Sequence, residues 1–448
     1  MKKTNLLLAM ALLGCIAVPF AELPPDAFGW LLVVALTITS AIVPWPKTKS
    51  TRAVLVAALV LHHGIAFIHA YAGPVIGADA DAIRFDRNAT WMSNLSAYPI
   101  IPEGLGAQTY VWFVGLVYRL AGASTLLGCE LSISAVLVSS WLFVALFRTL
   151  HNRDPGPLEF ALYALAPSAV PFTSTPLRES FQVVFLLSAC LSGALILKHL
   201  TALRLGAFLL SVVALAALHN GLAVYGLLLT CLVAYSFTRS ERRSAASTVA
   251  VILFFVACTA VWFALAGSLG GASAAVVDGD VGEYAERYRS SSLDARAAYG
   301  IEVDASSLVG LLRTYPIALF YYFAAPLPWQ ASAAVDALAL VENVLRLALI
   351  FAAALSIREQ RSRARRLPSF LLIAGLLLEC LWAMGTVNWG TAIRHHLVAY
   401  PLFVLLGSPK LCGAAWKQQR TSARRPHLGN PAPASAHRSA RPGMERIR

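Results

Sequence analysis

Asp79, Asp81 and Asp86 stand beside Arg84 and Arg87 in the stretch Ala78–Ala89, which follows an apolar run and opens the first long polar loop. Carboxylates that dense at the edge of a membrane span are costly to keep unless they do something. Further polar residues stand at the ends of other apolar runs. Arg178 and Glu179 follow Pro171 and Pro176, His219 and Asn220 close one run and open the next, and Arg394, His395 and His396 open the last. Together they are the inventory for moving a group from an anionic donor to a hydroxyl. An aspartate can take the acceptor's proton. Arginine forks can hold a phosphate leaving group and neutralise the charge that develops on it.

Each of these residues also has a purely structural reading. Any single aspartate can be a solvated loop residue, and Arg178 with Glu179 an ion pair. His219 can be a hydrogen-bonded residue at a helix end, and Arg394, His395 and His396 interfacial anchors. Glu342 and Arg346 have the i,i+4 spacing of a helical ion pair. Glu379, inside an apolar run, either pairs with a polar neighbour or is protonated. His62 and His63 have no assigned role.

Composition sets the frame for these residues. Hydrophobic residues are 58% of the 448 and charged residues 13%, half the charged share of a soluble domain. Mean hydropathy is +0.66. The chain reads as a polytopic membrane protein. A net charge of +13 does not mean nucleic acid here, because the basic residues cluster between apolar runs and in the tail. The seven cysteines follow no metal or disulfide spacing, and most lie in apolar segments.

Spans of suitable length are expected at 5–21, 28–45, 52–73, 124–147, 157–175, 179–198, 203–218, 221–237, 246–267, 335–357, 368–388 and 394–408. The apolar stretches 107–121 and 308–328 are short and either cross or lie at the interface. The start, Met-Lys-Lys followed by Leu6 to Phe20, reads as a first membrane helix rather than a cleaved leader. Twelve crossings put every basic cluster on one side: Lys2/Lys3, Lys47/Lys49/Arg52, Arg148/Arg153, Lys198/Arg204, Arg239/Arg242/Arg243, Arg358–Arg366 and the tail. The positive-inside rule makes that side the cytoplasm. The loops 74–123 and 268–334 and the chemistry-bearing residues then lie outside. The expected domains are a transmembrane domain, 1–409, and a disordered basic cytoplasmic tail, 410–448.

Asp81-Ala-Ile-Arg-Phe85, ending at Ala89, resembles the Asp-Ala-x-x-Tyr/Phe-x-x-x-Ala signature in the first external loop of GT-C-fold membrane glycosyltransferases. Ala164-Leu-Ala-Pro167-Ser168 with Ser174, Arg178 and Glu179 is similar to a segment of the related bacterial surface-polysaccharide assembly proteins. So are Ala325-Pro-Leu-Pro-Trp329 and Asn388-Trp-Gly-Thr-Ala-Ile-Arg394-His395. These motifs recur in the same order over about 330 residues. Those enzymes often have histidine after the aromatic residue, where this chain has Asp86.

The resemblance implies a GT-C-like, all-α polytopic fold with about 12 transmembrane helices and two short interfacial or re-entrant ones. It implies transfer of a sugar, or of an oligosaccharide repeat unit as in polymerases of the Wzy kind, from an undecaprenyl-phosphate-type donor. The site would face the outer side of a bacterial inner membrane. Asp81 is the expected base with Asp79 as substitute, and His219 or His395 assisting. Arg178, Glu179, Arg394, His395, His396, Asp86 and Arg87 are the expected substrate-binding residues. No cofactor follows from the motifs, and a divalent metal is left open. Expected partners are the polyprenyl-phosphate-linked donor, the bilayer and other polysaccharide-assembly proteins. A flippase for lipid-linked sugars would need the same cationic cavity without a base. A membrane acyltransferase would use an intramembrane histidine, His62 or His63.

Overall fold

A computed structural model describes residues 24, 26–43, 45–75, 79–100, 102, 106–238, 297–301, 308–360 and 362–423. The expected spans 5–21 and 246–267, most of the loop 268–334, and 424–448 lie outside the described residues.

The described residues are helical apart from their connections and one isolated bridge between extended segments. In chain order the helices are α1 (Ala27–Ile42), α2 (Lys49–Phe67, continued by a π-helical turn to Ala72), α3 (Asp79–Ser93), α4 (Ala107–Ala121) and α5 (Thr125–His151). Next come α6 (Pro157–Ala164), α7 (Ala169–Thr173), α8 (Glu179–Lys198), α9 (Ala202–Leu218) and α10 (Asn220–Thr238). The last four are α11 (Leu308–Ala324), α12 (Ala334–Glu359), α13 (Ser362–Gly385) and α14 (Trp389–Ala423). Among the described residues six helices are long and apolar enough to cross a membrane: α2 with its π turn, α5, α8, α10, α12 and most of α13. α1 and α9 are shorter apolar helices. The protein is a multi-span, all-α membrane protein.

Local sequence explains where the helices begin. The Ser124 hydroxyl accepts the Leu127 N–H at the start of α5, and Thr201 accepts that of Arg204 at the start of α9. α6 opens on Pro157, and Glu159 reaches back to the Gly156 N–H at 2.6 Å. α14 packs against α6, α8, α12 and α13. A Cβ on Gly407 of α14 would collide with the Leu349 carbonyl of α12, so only glycine lets these two helices approach so closely.

Three expectations change. The stretch 157–175 is two short helices, α6 and α7, broken at Leu165–Ser168. Pro167 has no N–H and disfavours helical geometry at the residue before it. The Glu342 carboxylate of α12 accepts the freed Ser168 N–H at 2.6 Å, which satisfies the broken backbone inside protein. Glu342 and Arg346 make no direct ion-pair contact, and Arg346 donates to Asn343 at 2.9 Å while Glu342 acts on it only through its charge. The tail does not begin at Lys410, because α14 continues to Ala423.

The basic residues of successive connections meet at one end of the bundle. The Lys47 N–H donates to Asp154, the Lys198 ammonium to the Thr149 carbonyl, and Lys410 pairs with Glu359. α8 connects that end to the opposite one, with Lys198 last and Glu179 first. Its 20 residues span about 30 Å, the thickness of a hydrocarbon core.

Candidate functional site

α3 is amphipathic, and that orients its carboxylates. Ala82, Phe85 and Ala89 are buried, while Arg84, Arg87, Asn88 and Trp91 are exposed. The Phe85 ring meets Tyr110 of α4 edge-on at 5.4 Å, and Tyr110 meets Phe181 of α8 at 5.9 Å. Asp86 fastens the same helix by hydrogen bonds. Its carboxylate accepts from the Tyr118 hydroxyl at 2.5 Å and from the Thr125 hydroxyl at 2.7 Å. Asp86 thus joins α3 to α4 and α5, and Asp81, five residues earlier, meets Arg394 of α14.

The start of α14 is held just as firmly. Asp336, in the first turn of α12, accepts the Ser332 and Ala333 N–H groups and the Trp389 indole N–H at 3.0 Å. Asn388 accepts the Thr391 N–H at 2.7 Å. A short extended segment pairs alongside, with the Tyr299 N–H donating to Val387 and the Trp389 N–H to Ala297. Arg394 lies just over one turn further on.

These supports bring Arg394 between two carboxylates distant in sequence. The Glu179 Oε1 atom accepts from Arg394 Nε at 3.0 Å and Nη2 at 2.5 Å. The Asp81 Oδ2 atom accepts from Arg394 Nη1 at 2.5 Å, across 313 positions of chain. The other Asp81 oxygen accepts from Arg84 Nη2 at 2.7 Å. Arg178, next to Glu179, lies 6.0 Å from the Phe85 ring centre and donates to the Leu218 carbonyl at 3.1 Å. Burial alone would raise the Asp81 carboxyl. Arg394, Arg84 and Arg178 outweigh it and hold Asp81 below the usual carboxylate range.

The histidines divide. The His219 and His395 rings meet edge-on at 6.2 Å, and His395 stacks on Trp382 at 4.7 Å. His395 Nδ1 bonds the Thr386 hydroxyl at 2.9 Å, and the His219 Nδ1 atom accepts the Gly221 N–H. His396 points away from this group. It is buried between Glu379, at 2.6 Å, and the Tyr322 carbonyl, at 2.9 Å. Consecutive helical residues point about 100° apart, so neighbours in sequence serve different surroundings. Arg87 is exposed. Asp79 opens α3, and its side chain lies outside the described residues.

Sequence reasoning passed over Trp382 and Thr386, which lie within or just beyond an apolar run and carry no charge to mark them. It also left His62 and His63 without a role. His62 bonds the Ala58 carbonyl at 2.7 Å and the Thr173 hydroxyl at 3.0 Å, and His63 bonds Glu130 at 3.0 Å. These contacts tie α2 to α7 and α5. The cavity beside His62 is small, about 30 Å³. Among the described residues no three His, Cys, Asp or Glu side chains converge as a metal site, and the carboxylates of Asp81 and Glu179 converge on a guanidinium.

No family model matches the chain, and no curated protein matches it. Among solved structures it is similar to the archaeal oligosaccharyltransferase AglB from Archaeoglobus fulgidus, in complex with an inhibitory peptide and a dolichol-phosphate. The TM-score is 0.45 and the identity 14%, with 87% of this chain and 53% of that chain covered. The chain spans about half the length of that protein.

Proposed function

We propose that this protein transfers a sugar or oligosaccharide unit from a polyprenyl-phosphate-type carrier to a hydroxyl acceptor, at the outer face of the membrane. The observation that carries this is the ion cluster in which Arg394 is shared by Asp81 and Glu179, with Arg178 and Arg84 alongside. The cluster lies at the end of the bundle opposite the basic connections, where a lipid-anchored phosphate and a water-soluble acceptor can meet.

Each residue has a role its chemistry supports. Arg394 and Arg178 bind the donor's phosphate or pyrophosphate by forked hydrogen bonds. Asp81 removes the acceptor's proton, while the acceptor oxygen bonds to the anomeric carbon. The anomeric carbon–oxygen bond breaks, and its electron pair leaves on the phosphate oxygen. Arg394 and Arg178 stabilise that developing charge. His219 and His395, beside Arg178 and Arg394 and with Trp382 stacked behind His395, are the aromatic groups offered to a sugar ring. Glu179 fixes the orientation of Arg394, and Asp86 that of α3.

The test uses the purified protein in lipid nanodiscs, supplied with undecaprenyl-phosphate-linked and undecaprenyl-pyrophosphate-linked saccharides. Release of the free lipid phosphate with saccharide joined to an acceptor is expected, and it should be lost in Asp81→Asn. Movement of intact lipid-linked saccharide across a vesicle membrane, with no bond cleaved, would replace this reading by a flippase.

A further inference from the structure

We infer that the donor's phosphate displaces Asp81 from Arg394, so that one exchange both seats the donor and frees the base. This inference rests on the transferase reading of the same site.

The geometry divides the partners of Arg394 into one that stays and one that can leave. Glu179 grips the Nε–Nη2 side of the guanidinium through a single oxygen. It sits in the first turn of α8, and its side chain is 6% exposed. Withdrawing it would leave an uncompensated buried charge, which is strongly unfavourable. Asp81 holds only Nη1. It belongs to α3, a polar helix outside the membrane-spanning set, and its side chain is 31% exposed. It would keep a second partner, Arg84, after leaving Arg394. The N–H groups at the Nη1 end are therefore the ones an incoming anion can take.

Charge favours the exchange. The guanidiniums of Arg84, Arg178 and Arg394 face the carboxylates of Asp81 and Glu179. A phosphate that takes the Nη1 end puts its leaving-group oxygen on the cation that must stabilise it. Asp81 is left with Arg84, an exposed partner whose pull is weak because water screens it. With the Arg394 hydrogen bond turned to the phosphate, the strongest influence holding the Asp81 carboxyl down is gone, and burial counts for more in its readiness to take a proton. The acceptor's proton passes to this freed carboxylate as the acceptor oxygen bonds to the anomeric carbon. The electron pair of the broken bond leaves on the phosphate. Without a donor, Asp81 stays engaged with Arg394 and activates no acceptor, water included.

The exchange makes a prediction that a simple base does not: removing the charge of Asp81 should tighten phosphate binding. The probe is farnesyl phosphate, with farnesol as the uncharged control, titrated into the intact purified protein by calorimetry. Asp81→Asn should bind farnesyl phosphate about tenfold or more tightly than wild type, since one charge-assisted hydrogen bond no longer competes. Farnesol binding should not change, and Arg394→Lys should bind farnesyl phosphate more weakly. Asp81→Ser serves the same purpose if Asp81→Asn does not accumulate. Equal or weaker farnesyl phosphate binding in a folded Asp81 variant overturns the exchange, even if wild type transfers saccharide normally. Tighter binding together with no saccharide transfer by wild type would keep the exchange and discard the transferase reading.

Discussion

Arg394 and Asp81 carry the residue-scale predictions. The Arg394 guanidinium is held along one side by Glu179 and at one end by Asp81. Lysine keeps the charge but has no fork, so it cannot satisfy both carboxylates and a phosphate in fixed directions. Arg394→Lys should accumulate near the normal level and lose roughly 10²–10³-fold in kcat, the usual cost of removing one preorganised donor. Turnover and protein level measured together decide this, and wild-type turnover would mean that only charge is needed. The second prediction concerns acid stability. Asp81 is held below the usual carboxylate range, so its folded value lies below its unfolded one. The ion pair then contributes fully above the unfolded carboxyl value, about 3.9, and is lost as pH falls through the lower folded value. Melting temperatures of wild type and Asp81→Asn should differ by a constant amount from neutral pH down to that region and converge below it. A gap that closed near neutral pH would identify a different titrating group.

Individual helices place these residues, and α3 is the clearest case. It is too polar to be held by the bilayer. Phe85 packs it on α4, and Asp86 binds it to α4 and α5 through Tyr118 and Thr125. Asp86 was expected to touch substrate, but in the structure both its oxygens are engaged within the protein. Asp86→Ala should therefore act through position. It should lower stability by about 1–3 kcal/mol, the cost of leaving buried partners unsatisfied. It should also lower kcat more than it changes donor KM, because Asp81 loses its alignment. Hydrogen exchange should report faster opening confined to α3. A change in KM alone would return Asp86 to the binding surface.

For the whole molecule the prediction is orientation. Successive basic connections meet at one end, and the Arg394 cluster lies at the other, across the length of α8. Reporter fusions after Arg153 and after Arg366 should both report cytoplasm. A fusion after Asn388 should report the outside. A cytoplasmic signal at Asn388 would turn the cluster inward and remove any donor on the outer leaflet from consideration.

The amino-acid sequence by itself determined the membrane class, through composition and apolar runs, and most helix boundaries among the described residues. It also marked Asp81, Arg178, Glu179, Arg394 and His395, because charged or titratable residues are conspicuous at the ends of apolar segments. Tertiary structure alone decided what each of them faces. His395 and His396 are adjacent in sequence, yet one joins Trp382 and Thr386 while the other is buried against Glu379. Glu342 and Arg346 have the spacing of a pair, yet Glu342 accepts the backbone N–H that Pro167 frees by breaking the span at 157–175. Arg394, Glu179 and Asp81 come from three remote segments. Local spacing sets which residues share a face of one helix. Contacts between helices depend on packing and on the angle at which each side chain leaves its axis, and these are settled only when the bundle closes.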